Sequence, residues 1–175
     1  IYSGGDVYLS VSKGKTIEFR DSVCFATPHH VSLNEDYIDA EGKIHQQRGE
    51  IIFTGKYTEQ HLNEWLKKDK VGRSATAEEI TNSRTSDIRG PVTLHGGKLR
   101  IEDKAVLKSW GIDVHPGATV SLKDAVLSHA GYALTMSNAS TLRWQGANTI
   151  SANIMLSEGS RLDCVLSSTN ETQPL

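Results

Sequence analysis

The chain has 175 residues, with 19 Lys and Arg against 21 Asp and Glu and a formal net charge of −2. That balance argues against a nucleic-acid binder, which would normally carry a basic stripe, and gives no electrostatic reason to attach to an anionic membrane surface. Hydrophobic residues at 37% and charged ones at 23% describe a polar, turn-rich chain, still too rich in aromatics for a disordered acidic tail.

The opening residues carry no basic segment followed by an apolar one, so no secretion signal is read there. Both ends read as cuts inside a longer polypeptide. Nowhere do apolar residues approach the roughly 18 in a row that a membrane-spanning helix needs. Val7-Tyr8-Leu9-Ser10-Val11 and Thr16-Ile17-Glu18-Phe19 alternate as strands, with Gly4-Gly5 and Lys13-Gly14-Lys15 as turns. Residues 26–48 are polar and acidic and read as a long loop. Within it, His29, His30, Glu35, Asp36 and Asp39 could be drawn as a metal cluster. Adjacent histidines of an extended chain point to opposite faces, however, and no metal-binding frame is present, so these are read as loop residues. Gly49-Glu50-Ile51-Ile52-Phe53-Thr54 is the next strand.

Residues 56–90 break the β pattern. Leu62, Trp65 and Leu66 lie at helical spacing, giving one short amphipathic face with Thr58 as its N-cap. Thr76 with Glu79 three residues on matches a capping box for a second short helix. His61 and Glu64 are neighbours on the first helix, where Glu64 is more simply a partner for Lys67 or Lys68. Lys67-Lys68-Asp69-Lys70 is a solvated run.

Residues 91–175 carry a period. Leu99-Arg100-Ile101 recurs as Val120-Ser121-Leu122, Leu142-Arg143-Trp144 and Leu162-Asp163-Cys164, at spacings of 21, 22 and 20. A turn precedes each: Gly96-Gly97, Pro116-Gly117-Ala118, Asn138-Ala139-Ser140 and Glu158-Gly159-Ser160. Val106-Leu107, Val126-Leu127 and Thr149-Ile150 follow in phase. Ile112-Asp113-Val114, Leu134-Thr135-Met136 and Ile154-Met155-Leu156 fill the rest of each period. The spacing predicts an all-β chain, a right-handed parallel β-helix with coils of about 20–22 residues forming one unit over 1–175. Residues 26–48 and the partly helical 56–90 are expected to leave that stack as loops. A β-sandwich would also give short strands with frequent turns, but would not return to register at so constant a spacing. Stacking accounts for the low apolar content, because each coil buries only its inward positions against its neighbours. Asn138 and Asn148 are read as turn residues.

No nucleophile elbow, phosphate loop or paired-carboxylate frame appears. The acids of the regular region are Glu102, Asp103, Asp113, Asp124, Glu158 and Asp163. Asp103 and Asp124 stack in phase beside Lys104 and Lys123, which reads as a salt-linked turn ladder. Accordingly, no catalytic, cofactor-binding or metal-ligating residue is expected. Asn138-Ala139-Ser140 and Asn170-Glu171-Thr172 fit the glycosylation pattern, which matters only in a eukaryotic secretory route. Cys24 and Cys164 fall on distant coils, so no bridge between them is expected.

The order of these segments carries a resemblance. Gly14-Lys15-Thr16-Ile17-Glu18-Phe19 and Gly49-Glu50-Ile51-Ile52-Phe53-Thr54-Gly55 are followed by a polar excursion and by Pro91-Val92-Thr93-Leu94-His95-Gly96-Gly97-Lys98-Leu99-Arg100-Ile101. Trp110 and Pro116-Gly117-Ala118-Thr119-Val120-Ser121-Leu122 come next. Over residues 4–127 this resembles the middle passenger region of the chlamydial polymorphic membrane proteins. The family's short G-G-A-[ILV] and F-x-x-N repeats are absent, Gly4-Gly5-Asp6-Val7 being an echo with Asp in place of Ala. The resemblance implies an autotransporter passenger at the bacterial surface or outer membrane, or secreted after cleavage. A C-terminal β-barrel of the same polypeptide would carry it across. It further implies non-enzymatic adhesion to a host cell-surface receptor, protein or glycan, with no cofactor and no nucleic-acid partner; self-association is a further expectation. The rivals are a carbohydrate-active β-helix enzyme and a purely structural stalk.

Overall fold

The computed structural model describes residues 5–25 and 27–165. The chain visits three sheets in turn and then repeats the passage. The first circuit contains β1 (Val7–Leu9) and β2 (Thr16–Phe19), and Cys24 adds an isolated parallel bridge to Asp87. The second holds β3 (Val31–Leu33), β4 (Tyr37–Ile38), β5 (Ile44–His45), β6 (Glu50–Thr54), α1 (Thr58–Lys68), α2 (Ala77–Ser83) and β7 (Thr85–Asp87). Three regular circuits follow. They are β8 (Pro91–Leu94), β9 (Lys98–Glu102) and β10 (Val106–Ser109); β11 (Gly111–Val114), β12 (Thr119–Lys123) and β13 (Val126–His129); and β14 (Leu134–Met136), β15 (Thr141–Gln145) and β16 (Thr149–Ser151). Finally β17 (Ile154–Leu156) and β18 (Arg161–Val165) enter a sixth.

The first sheet runs β1-β3-β8-β11-β14-β17, the second β2-β6-β9-β12-β15-β18 and the third β7-β10-β13-β16. Every pairing within these three sheets is parallel; only the small β4–β5 hairpin is antiparallel. The molecule is therefore mostly β, with long parallel sheets. The register read from the period holds residue by residue: Leu99 pairs with Val120, Val120 with Leu142, and Leu142 with Leu162. In the third sheet Leu107 pairs with Leu127 and Leu127 with Ile150.

Alternation explains the burial. In β9, Leu99 and Ile101 point inward at 0% exposure while Lys98, Arg100 and Glu102 stay half-buried outside. The inward positions of all three sheets join in one core, including Leu33, Leu94, Leu122, Leu127 and Met136. Burying each such side chain contributes about 1.5–3 kcal/mol. Corners are set by left-handed residues that recur between the first and second sheets: Gly97, Gly117, Ala139 and Gly159 all have positive φ. Glycine adopts this conformation without steric cost; Ala139 holds it at φ 58° through the surrounding turn.

Two segments differ from the sequence expectation. Residues 26–48 are not one loop, because Val31–Leu33 is a fully buried strand of the first sheet and 37–45 form the hairpin. Residues 56–90 return to the stack before their end, since Thr85–Asp87 pairs with β10. Both strands are short, and β7 has no apolar side chain to betray it. The second circuit thus runs all the way from Val31 to its partner Val92. The next runs only from Val92 to Ile112.

The two helices form as expected in kind, with differences in detail. At α2, Thr76 and Glu79 make the reciprocal capping box, and Arg73 joins Glu79, holding its carboxyl at about 2. At α1 the N-cap is Tyr57, Thr58 being the first helical residue. Only Leu66 of its apolar face is fully buried, while Trp65 is 56% exposed. Glu64 accepts a hydrogen bond from Gln60 rather than pairing with a lysine.

Cys24 and Cys164 are free, exposed thiols. One lies in the first circuit and the other on β18. Five strand steps of about 4.8 Å separate their levels by on the order of 24 Å, beyond the roughly 7 Å reach of a disulfide.

Candidate binding surfaces

The long second circuit shapes two surfaces. Between the first and second sheets it throws out the β4–β5 hairpin. Asp39 closes the tip, its Oδ1 accepting from the N–H groups of Glu41 and Lys43 and its Oδ2 contacting His45 Nε2 at 2.6 Å. Tyr37 stacks on the His45 ring with centroids 4.7 Å apart. Tyr37, Ile38 and Ile44 remain exposed at 51%, 68% and 62%. The base is clamped by Arg48, which grips Asp36 through both guanidinium ends and keeps its carboxyl below the usual range. A well-anchored hairpin with apolar strands and a polar tip is therefore presented to solvent.

Between the second and third sheets the same circuit throws out α1 and α2. Where this insertion leaves and rejoins the sheets, at Lys56 and at Arg84, lies an open groove of about 760 Å³. Its floor is the stacked corner where β9 turns into β10 and β12 into β13. Asp103 and Lys104 take left-handed φ of 55° and 67°, and Asp124 takes 50°. Lys104 is an extra corner residue: Glu102 pairs with Lys123 at an offset of 21, yet Val106 pairs with Val126 at 20. The groove wall is Arg84, the C-cap of α2. Its main chain is fixed twice, the N–H donating to Ile80 and Thr81 carbonyls and the C=O accepting from Val106.

The groove is cationic although the chain is not. Five cationic side chains line it, Lys56, Arg84, Arg100, Lys104 and Lys123, against three acidic ones, Glu102, Asp103 and Asp124. Arg100 is committed to Glu50 and Glu102. Arg84 Nε is buried without a hydrogen-bond partner, and among the described residues no carboxylate pairs with Arg84, Lys104 or Lys123.

The anticipated salt-linked ladder takes a different form. Asp103 Oδ2 accepts from the Thr54 hydroxyl at 3.2 Å, and Asp124 Oδ1 accepts from the Ala147 N–H at 2.8 Å. Main-chain bonds from Asp103 N–H to Lys123 O and from Lys104 N–H to Asp124 O complete the stack. The acids thus hold the turns, which leaves both lysines free to face solvent. Asp113 lies on the outer face of β11, and Glu158 and Asp163 lie one circuit beyond the groove.

The histidines and acids of 29–39 do not converge, and among the described residues no group of three or more ligating side chains could hold a metal ion. His29 contacts Thr27, His30 contacts Thr93, and Asp39 contacts His45. Glu35 instead joins a small cluster. Ser32 Oγ lies 2.6 Å from Glu35 Oε2 and 2.8 Å from His95 Nε2, and the His95 ring meets His115 edge-on at 4.6 Å. His61 contacts Asp21 at 3.0 Å. Asn138 is exposed, but the Ser140 hydroxyl of its glycosylation pattern is buried and donates to Ser137 O. Asn170 lies outside the described residues. Asn148 is a turn residue with a larger task, accepting from Ala125 N–H one circuit away.

Two histidines make the fold acid-sensitive. His95 is held below its ordinary value by burial first and by His115 second, and His129 by burial. His129 Nε2 is buried without a partner, while Nδ1 lies 2.8 Å from Ser109 Oγ. The folded chain therefore favours neutral rings, and the unfolded chain takes up more protons as pH falls through about 6.5. The stability these rings contribute is fully present above that value and diminishes progressively as pH falls toward their lowered folded-state values. The urea midpoint is expected to drop between pH 7.5 and pH 5, and His129→Leu should shrink the drop. A pH-independent midpoint would refute this.

No family model, curated protein or solved structure matches the chain.

Proposed function

We propose that the chain is a run of right-handed parallel β-helix coils serving as a non-enzymatic segment of a surface adhesin. On this reading it is an autotransporter passenger of the polymorphic-membrane-protein type, borne at the bacterial outer membrane and bound to a host receptor. The observation that carries the proposal is the second circuit. From Val31 to Val92 it projects a hairpin and a helix pair from one level of a rigid stack, whose next circuit closes already at Ile112. Loops set on a rigid scaffold are where binding residues concentrate. The projections expose Tyr37, Ile38, Ile44 and Trp65, the aromatic and apolar types that anchor protein contacts.

The carbohydrate-active enzyme reading draws less support, because Asp103 and Asp124 are spent on corner bonds. A plain stalk would need no such projections.

Replacing residues 57–83 by a short Gly/Ser linker tests the reading and spares Arg84 and β7. Attachment of the purified chain to host cells is expected to fall to background while β-type circular dichroism persists. Undiminished attachment would defeat the proposal.

A further inference from the structure

We infer that the groove at Lys56 and Arg84 is a binding site for an acidic glycan, a sugar chain bearing sulfate or carboxylate groups. This deepens the adhesion reading and rests on it only for where the sugar is met. Three observations converge. The first is the local charge: five cations against three acids line the groove of a chain whose net charge is −2. The second is Arg84, whose Nε is buried with no partner. No carboxylate pairs with Arg84 among the described residues, although it lines the groove, and a guanidinium fork suits a carboxylate or sulfate held by two oxygens. The third is the interleaving of Asp103 and Asp124 with Lys104 and Lys123 along the floor.

That interleaving selects the ligand class. A bare polyanion would be repelled by the two carboxylates. An acidic sugar carries hydroxyl donors between its anionic groups, so carboxylate acceptors and cationic donors are both used. Among the described residues no aromatic side chain lines this groove, so it lacks the stacking platform on which single-stranded nucleic acids rely. The floor also crosses successive circuits, one level every ~4.8 Å. The lining already runs from Lys56 and Arg84 through Lys104 and Lys123 to Ala147, and a second hollow of about 310 Å³ beside it, toward Val106 and Val126, shares Arg84, Lys104, Asp124 and Ala147 and widens the groove.

Two features fix the cations without the ligand. The Arg84 main chain is held at both its N–H and its C=O. Lys104 is lifted out by its left-handed corner, and this extra residue is what separates the β9–β10 turn from the next one.

The test is titration of the full 175-residue chain with three size-matched oligosaccharides: sulfated heparin, carboxylated polygalacturonate and neutral maltooligosaccharide. Binding of either acidic sugar, weakening as salt rises and absent for the neutral one, is the expected result; the two acidic arms tell sulfate from carboxylate. Arg84→Gln should weaken binding roughly tenfold or more, the equivalent of one charged hydrogen bond. The Lys104→Glu/Lys123→Glu double variant, which touches no buried atom, should abolish it. Lys13→Glu/Lys15→Glu makes the same charge change at a different corner and should leave affinity within about twofold, as screening predicts for distant exposed charges. Wild-type affinity in the first two variants would overturn the inference, as would equal binding of the neutral sugar or of a DNA oligomer of matched charge. Absence of binding to both acidic sugars would overturn it too. Cell attachment measured in parallel separates the two readings. Sugar binding without attachment upholds the groove and sinks adhesion, whereas attachment that survives the double variant places adhesion on the projections.

Discussion

Asn34→Ala is expected to lower stability by roughly 3–6 kcal/mol, three orphaned backbone partners at about 1–3 kcal/mol each less what relaxation recovers. Asn34 is 0% exposed and sits at φ 55°. Its Oδ1 accepts from Val11 N–H at 2.9 Å, and its Nδ2 donates to the carbonyls of Gly49 and Gly96, both at 3.0 Å. One side chain therefore ties the first circuit, the returning end of the hairpin insertion and the third circuit. Asparagine also tolerates the left-handed backbone better than alanine does. Asn34→Gly separates the contributions, since it removes the strain and still loses all three bonds. If the bonds dominate, both variants should show a similar loss in urea midpoint. A loss under about 1 kcal/mol for Asn34→Ala, the size of one ordinary net hydrogen bond, would mean that water replaces the amide and that the corner is not dry.

The second large effect is graded by position in the stack. Leu99, Leu142 and Leu162 occupy one inward column of the second sheet, with Val120 between the first two. Their exposures are 0%, 1% and 54%. Truncating a buried leucine to alanine costs about 2–5 kcal/mol, with the loss of transfer energy and the residual cavity both contributing. Leu99→Ala and Leu142→Ala are expected in that range. Leu162→Ala should cost under about 1 kcal/mol, because half of its surface is already in water. Equal losses at Leu99 and Leu162, measured by calorimetric unfolding, would contradict the stacked arrangement, since identical chemistry at identical register should differ only through burial.

Legibility in the sequence follows from the same physics. The strands of 91–165 can be read to the residue because each circuit repeats its inward Leu, Val or Ile at a nearly constant interval, and alternation does the rest. Val31-Ser32-Leu33 is not legible in that way, since its partner Val92 stands three ordinary circuits further along the chain, where no period can be counted, and its flanks are His30 and Asn34. Thr85-Ser86-Asp87 is hidden for a different reason. Its buried residue, Ser86, adds nothing to hydropathy and instead accepts from Val23 N–H at 3.1 Å. The groove is half legible. Asp103, Lys104, Lys123 and Asp124 stand out as stacked in phase, but the sequence suggests side chains paired to one another. Nothing in the sequence announces Arg84, an isolated cation after a polar helix, whose importance comes from the topology that brings it over the corners of two later circuits. Similarly, Thr58 and Tyr57 differ by one position as caps, a distinction that depends on where the chain leaves β6.

The uneven lengths of the circuits also set an order of assembly. Closing the circuit from Val31 to Val92 rather than one such as Val92 to Ile112 costs about 1 kcal/mol more in chain entropy, by the logarithmic dependence on loop length. The contacts between β3 and β8 and between β6 and β9 must bear that cost, while those among β8 to β16 do not. Local closure is favoured kinetically, so the regular circuits are the natural nucleus. The earlier strands β1, β2, β3 and β6 are then expected to dock on this template from one end, with the hairpin and helices closed off as the long loops between them. The part of the molecule that faces outward is thus the part whose sequence can change with least disturbance to how the rest is made.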